Sequence, residues 1–164
     1  MEEIPNFWRT EVFHPLSVHF PIALLLVAFL FKLISLKFKK EVWTQGGSIL
    51  LLLGIIGIWI AIYTGNLADG IVSRTICDPT ILKDHENLAY LTAWLFTAAG
   101  VLDFLVFLKL FFINSKMWLI SLVTVLIMAA GSGVLMYTGH LGATLVYQQA
   151  AGVYTPTSDC AEFN

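Results

Sequence analysis

The chain has 164 residues, 58% of them hydrophobic and only 12% charged, with a mean hydropathy of +0.82. Soluble domains are nearer half apolar and a quarter charged, so an ordinary water-soluble enzyme is excluded and one integral membrane domain is indicated. A net charge of -2, with no basic patch interleaved with aromatics, offers nothing to nucleic acid.

Along the chain, Glu2, Glu3 and Glu11 share the first thirteen residues with Arg9, which is not the basic opening of a cleavable signal peptide. Four apolar stretches follow: about Val18 to Leu36, Gly46 to Gly65, Leu88 to Phe112 and Met117 to Thr138. Each meets the roughly 20 residues that a helix needs to cross a bilayer. The expected fold is therefore all-α, four transmembrane helices in an up-down bundle. Short basic turns join the first pair and the second pair. Residues 66–85 read as a longer acidic-polar loop, and residues 139–164 as a tail.

Lys32, Lys37, Lys39, Lys40, Lys109 and Lys116 cluster at the two short turns, whereas Arg9, Arg74 and Lys83 lie on the other side. The positive-inside rule then places the turns in the cytoplasm. Both termini and the middle loop are expected outside, periplasmic where the cell has an outer membrane. Cys77 and Cys160 fall in that oxidising compartment and can form one bridge clipping tail to loop, with two free thiols as the other reading. No CxxC or CxxH spacing suggests a metal role for them.

The chain echoes itself. Ile62-Tyr63-Thr64-Gly65-Asn66-Leu67-Ala68 closes the second span, and Met136-Tyr137-Thr138-Gly139-His140-Leu141-Gly142 closes the fourth. His19 opens the first span and His85 the third. Two repeated hairpins about an axis along the membrane normal are expected, with His19 and His85 as equivalents.

All four histidines, His14, His19, His85 and His140, sit at borders of apolar segments on the expected outer side. Five residues separate His14 from His19, about 140° of helical rotation, so they face different ways. His19 and His85 are the better pair to face each other across the bundle, as axial ligands of a b-type haem iron. His14 and His140 would serve a second site or support the first. Gly54, Gly57, Ala98, Ala99, Gly100, Ala129, Ala130, Gly131 and Gly133 could clear space for a flat ring, or equally serve close helix packing. Interfacial hydrogen bonding of the histidines, or a copper, zinc or non-haem iron site, stay open.

Asp103 lies eighteen residues beyond His85, about 27 Å along a helix, where Lys32 or Lys109 can pair with it. That favours a structural role. Asp84 suits a helix N-cap before His85, or a partner for its ring. Trp8, Trp43, Trp94 and Trp118 read as interfacial aromatics.

The opening His14-Pro15-Leu16-Ser17-Val18-His19-Phe20-Pro21-Ile22-Ala23-Leu24 and the ending Gly139-His140-Leu141-Gly142-Ala143-Thr144-Leu145-Val146-Tyr147 resemble the bacterial membrane proteins of domain-of-unknown-function family 2231. The resemblance runs from about Phe13 to Tyr154 and carries His14, His19 and His140 as motif positions. It implies a four-helix domain of the bacterial inner membrane, associated in some relatives with c-type cytochrome modules. Ala150-Ala151 departs from the pattern, where a glycine is expected nearby.

Two function classes stay open. One is a membrane-anchored electron carrier holding haem b, exchanging electrons with quinol or a c-type cytochrome. The other is a non-haem metal-binding or accessory subunit of a respiratory or other membrane complex. No nucleophile–base set or phosphate-binding glycine loop supports a stand-alone hydrolase or kinase.

Overall fold

The computed structural model describes residues 5–38, 40–108 and 117–155. Its helices are α1 (Thr10–Ser35), α2 (Glu41–Val72), α3 (Pro79–Phe107) and α4 (Met117–Gln149). Each is long and apolar enough to cross a membrane, and no strand occurs among the described residues. In hydrocarbon, a helix is the way an open chain satisfies its own backbone groups. Large apolar side chains accordingly point outward as well as inward: Phe20, Leu30, Leu52, Ile60, Trp94, Leu126 and Met136 are all exposed.

All four helices extend beyond the apolar spans at one end. The stretch expected as a long loop is mostly helix, with α2 running to Val72 and α3 starting at Pro79. The tail likewise begins as helix, because α4 continues to Gln149. A second, small core explains this: Ala68, Val72, Ile76 and Leu145 are buried together, with Ile81, Leu82 and Ala151 against them. Ala68 and Val72, four apart, hold one face of α2 toward that core. The cap of α3 is Asp78, not Asp84. Its carboxylate accepts from the Thr80 amide at 2.9 Å and the Thr80 hydroxyl at 2.6 Å, with Pro79 at the first helical position. Asp84 is exposed within the helix. Helix α1 begins at Thr10, so Pro15 and Pro21 both lie inside it.

Helix α1 packs chiefly on α2 and α3 chiefly on α4, making two hairpins. The α1–α4 and α2–α3 seams join them, and α1 faces α3 across the diagonal. One core draws on all four helices, with Leu25, Ala28, Leu51, Ala93, Phe96, Ala99 and Met128 at most 1% exposed.

Burial reveals the true register of the repeat. Buried Pro21, Leu25, Ala28 and Lys32 of α1 correspond to Thr92, Phe96, Ala99 and Asp103 of α3, an offset of 71 residues throughout. A second constant offset relates Gly47, Leu51, Gly54, Ile58, Ala61 and Ala68 of α2 to Thr124, Met128, Gly131, Leu135, Thr138 and Leu145 of α4. Contacts follow suit: a Cβ on Gly54 would lie 2.5 Å from Leu25, and one on Gly131 would lie 3.0 Å from Phe96. By this register His14 is the equivalent of His85, while His19 corresponds to Tyr90. The Tyr-Thr-Gly similarity is displaced from it by three residues, nearly one turn. Gly57 is likewise filled by Pro21 and Gly100 by Ile55, so these small residues serve helix packing.

Candidate functional site

His14 lies near the start of α1 and His85 near the start of α3, both at the end of the bundle where α2 and α4 finish. Their rings meet across the diagonal, with centroids 6.0 Å apart and planes nearly perpendicular at 85°. Each ring is anchored on the second helix of its own hairpin. His14 Nδ1 lies 2.9 Å from the Ala61 carbonyl, and His85 Nδ1 lies 3.0 Å from the Thr138 carbonyl. A carbonyl only accepts, so in each neutral ring Nδ1 carries the proton and donates. Both Nε2 atoms are left with a lone pair, the state a metal-binding imidazole needs.

Glycine makes room for each anchor. Ala61 is followed four residues later by Gly65, and Thr138 by Gly142. A Cβ on Gly65 would lie 3.1 Å from the His14 ring, and one on Gly142 would lie 3.2 Å from His85. A helical carbonyl is already bonded to the amide four residues on. A second donor reaches it most easily where that residue has no side chain. Hydroxyls knit the same layer: Ser17 Oγ lies 2.8 Å from Thr64 Oγ1, which donates to the Ala61 carbonyl at 2.9 Å. In the other hairpin, Thr92 and Thr138 hydroxyls lie 3.5 Å apart.

The other two histidines lie elsewhere. His19 is exposed, turned away from the diagonal because it lies about 140° around α1 from His14. His140 is exposed and stacks on Tyr137 at 6.2 Å. The structure thus brings His14, rather than His19, to His85. Among the described residues no group of three or more His, Cys, Asp or Glu could hold a metal ion. The imidazole pair is therefore a two-donor site. Cys77 is exposed, and Cys160, its expected bridge partner, lies outside the described residues.

Basic groups near this end are largely engaged. Arg9 Nη2 donates to the Gly152 carbonyl at 3.2 Å and its Nε lies 3.4 Å from Glu11. Lys83 pairs with Glu86 at 2.6 Å. Asp78, beyond the spans, has its carboxyl held below the usual carboxylate range by bonds from the Thr80 hydroxyl and amide. Its cap is complete above the ordinary carboxylate pKa and is lost as pH falls through the lowered one.

At the opposite end a second polar pair crosses the same diagonal. Lys32 Nζ bonds Asp103 Oδ1, Ser48 Oγ at 2.7 Å and the Thr44 carbonyl at 3.1 Å. Of the two expected partners for Asp103, Lys32 is the one it meets; Lys109 lies outside the described residues. Lys32 follows His14 by eighteen residues, as Asp103 follows His85. That spacing is about five turns, so each helix presents both residues on one face. The spacing was present in the sequence and is the signal that pairs His14 with His85. The anchoring carbonyls of Ala61 and Thr138 left no sequence signal, since backbone acceptors occur at every residue.

No curated protein and no solved structure matches the chain at a significant level. A family model described as a predicted membrane protein, domain of unknown function 2231, matches residues 11–155, which takes in both polar layers and all four helices. The chain belongs to that family of membrane proteins.

Proposed function

We propose that this protein is a membrane electron carrier in which His14 and His85 would hold the iron of a b-type haem. The observation that supports this reading is the equivalent pair of imidazoles, each with Nδ1 committed to a backbone carbonyl and Nε2 left with its lone pair. The two rings stand 6.0 Å apart, close enough for both to hold one iron. The donor set fits haem iron, which asks the protein for two ligands only. Zinc in a closed site takes four protein ligands, and the described residues offer no third.

A bound haem would supply one-electron chemistry. The chain's own residues orient it: carbonyl bonds to Nδ1–H set each ring and raise the basicity of the free nitrogen. Further along the bundle, the buried layers of Leu25 with Phe96 and Ala28 with Ala99 close the core with apolar side chains. With the lysine-rich turns inside, the imidazoles belong at the outer face of a bacterial inner membrane. A quinol in the bilayer and a periplasmic c-type cytochrome are the partners that suit this position. A Cys77–Cys160 bridge would suit the same compartment.

Absorption spectra of the purified protein from haem-replete cells test the reading. The wild type should show sharp reduced-state haem bands; His14→Ala and His85→Ala should lose them, and His19→Ala and His140→Ala should keep them. A colourless wild type would sink the cytochrome reading. Copper or zinc without haem would move the site to the non-haem class. Loss of haem in His19→Ala but not in His14→Ala would move the ligand to His19.

A further inference from the structure

The two hairpins present similar, uncharged faces to each other along much of the bundle axis. His14 meets its own equivalent His85, and the fully buried layers Leu25/Phe96 and Ala28/Ala99 are apolar on both sides. Such layers carry no charge that tells the first hairpin from the second. A hairpin of one copy could dock on the same hairpin of another copy and bury a comparable apolar surface. One layer differs in charge. Where the repeat should place like residues, it places Lys32 and Asp103.

The charges are well sunk, with side chains 9% and 14% exposed. The three hydrogens of the Lys32 ammonium meet three acceptors, Thr44, Ser48 and Asp103. Thr44 and Ser48 belong to the hairpin that carries Lys32, so Asp103 is the acceptor reached across the diagonal. On α4, the position equivalent to Ser48 is Val125, which is buried and apolar. The second hairpin thus lacks a matching hydroxyl donor there for Asp103.

We infer that the Lys32–Asp103 pair is the pairing determinant of the bundle: it admits first hairpin against second, rejects like against like, and so delivers His14 to His85 five turns away. Like pairing would set Lys32 against Lys32 or Asp103 against Asp103 in a medium of low dielectric. Repulsion against the wrong partner is how near-symmetric interfaces acquire specificity. None of this depends on what, if anything, the imidazoles hold.

The full chain in detergent tests it, using two differently tagged copies, size distribution and capture of one copy by the other. Lys32→Asp gives both hairpins Asp, and Asp103→Lys gives both Lys; each variant alone should lose the monodisperse wild-type form. Co-expressed, the two variants should capture each other at 1:1, above the wild-type level, because every hairpin of one complements every hairpin of the other. The double swap in one chain should restore the wild-type profile. The neutral Lys32→Met/Asp103→Leu chain should stay folded yet capture a second copy. Wild-type behaviour of either single variant, no mutual capture, or a swap no better than the singles would overturn the inference.

Discussion

Ala150 follows α4 with φ 51, in the left-handed region, and the Ala151 amide donates back to the Leu145 carbonyl at 3.0 Å. At such a left-handed helix end glycine is the usual residue, because a Cβ costs about 1–2 kcal/mol in that conformation. The family resemblance led us to expect a glycine nearby: Gly152 follows two residues on with φ 69, while Ala150 itself adopts the glycine conformation as an alanine. Ala150→Gly should therefore stabilise the protein by about 0.5–1 kcal/mol, the strain relieved less the added freedom of the unfolded chain. Thermal unfolding in detergent would show it as a raised midpoint; an unchanged or lowered one would mean the end is not strained. At this scale the histidines were half legible. Their border positions singled out four candidates, but choosing between His14 and His19 needed the rotational phase of α1, which Pro21, Leu25 and Ala28 set by packing inward.

The α1–α2 hairpin rests on close approach. A Cβ on Gly54 would stand 2.5 Å from Leu25 Cδ2 and 2.7 Å from its Cγ, so the whole side chain must shift. Gly54→Ala should destabilise by about 1–3 kcal/mol, as overpacking a filled core does. Gly133→Ala is the control, since nothing lies within 4 Å of its Cβ position; it should be neutral or stabilising by up to about 1 kcal/mol. Equal losses at both glycines would show that the helix backbone, not the contact with Leu25, is responsible. Small residues were visible in the sequence as a group, but their use was not. Whether a glycine admits a cofactor or a neighbouring side chain depends on what lies opposite, and here Leu25, Pro21, Ile55 and Phe96 lie opposite. Element ends were misplaced for a related reason. Hydropathy marks where lipid ends, whereas α2 and α4 continue as long as Ala68, Val72 and Leu145 find apolar partners beyond it.

Across the whole molecule, both polar diagonals lie about 27 Å apart along the axis, close to the thickness of a hydrocarbon core. The imidazole pair and the Lys32–Asp103 pair are thus spaced as the two borders of such a core would be. If the lysine turns lie inside, as the positive-inside rule predicts, a periplasm-active reporter fused after Asn164 should be active and one inserted at Lys40 inactive. The reverse pattern would place the imidazoles in the cytoplasm. In the same membranes Cys77 and Cys160 should resist a thiol probe until reductant is added; labelling beforehand would remove the bridge. Membrane class, helix number and the charge asymmetry of the turns were determined by the sequence alone, because hydropathy and charge add up locally along the chain. So was the choice of Lys32 or Lys109 for Asp103, since helical rise converts residue count into depth. Only the tertiary structure decided that His14 meets His85, that Lys32 takes Asp103, and that the repeat runs one turn away from the Tyr-Thr-Gly similarity. Each of these depends on which face a helix turns to its neighbours. That phase is set by the joint fit of side chains from four helices, a quantity that no stretch of the chain contains by itself.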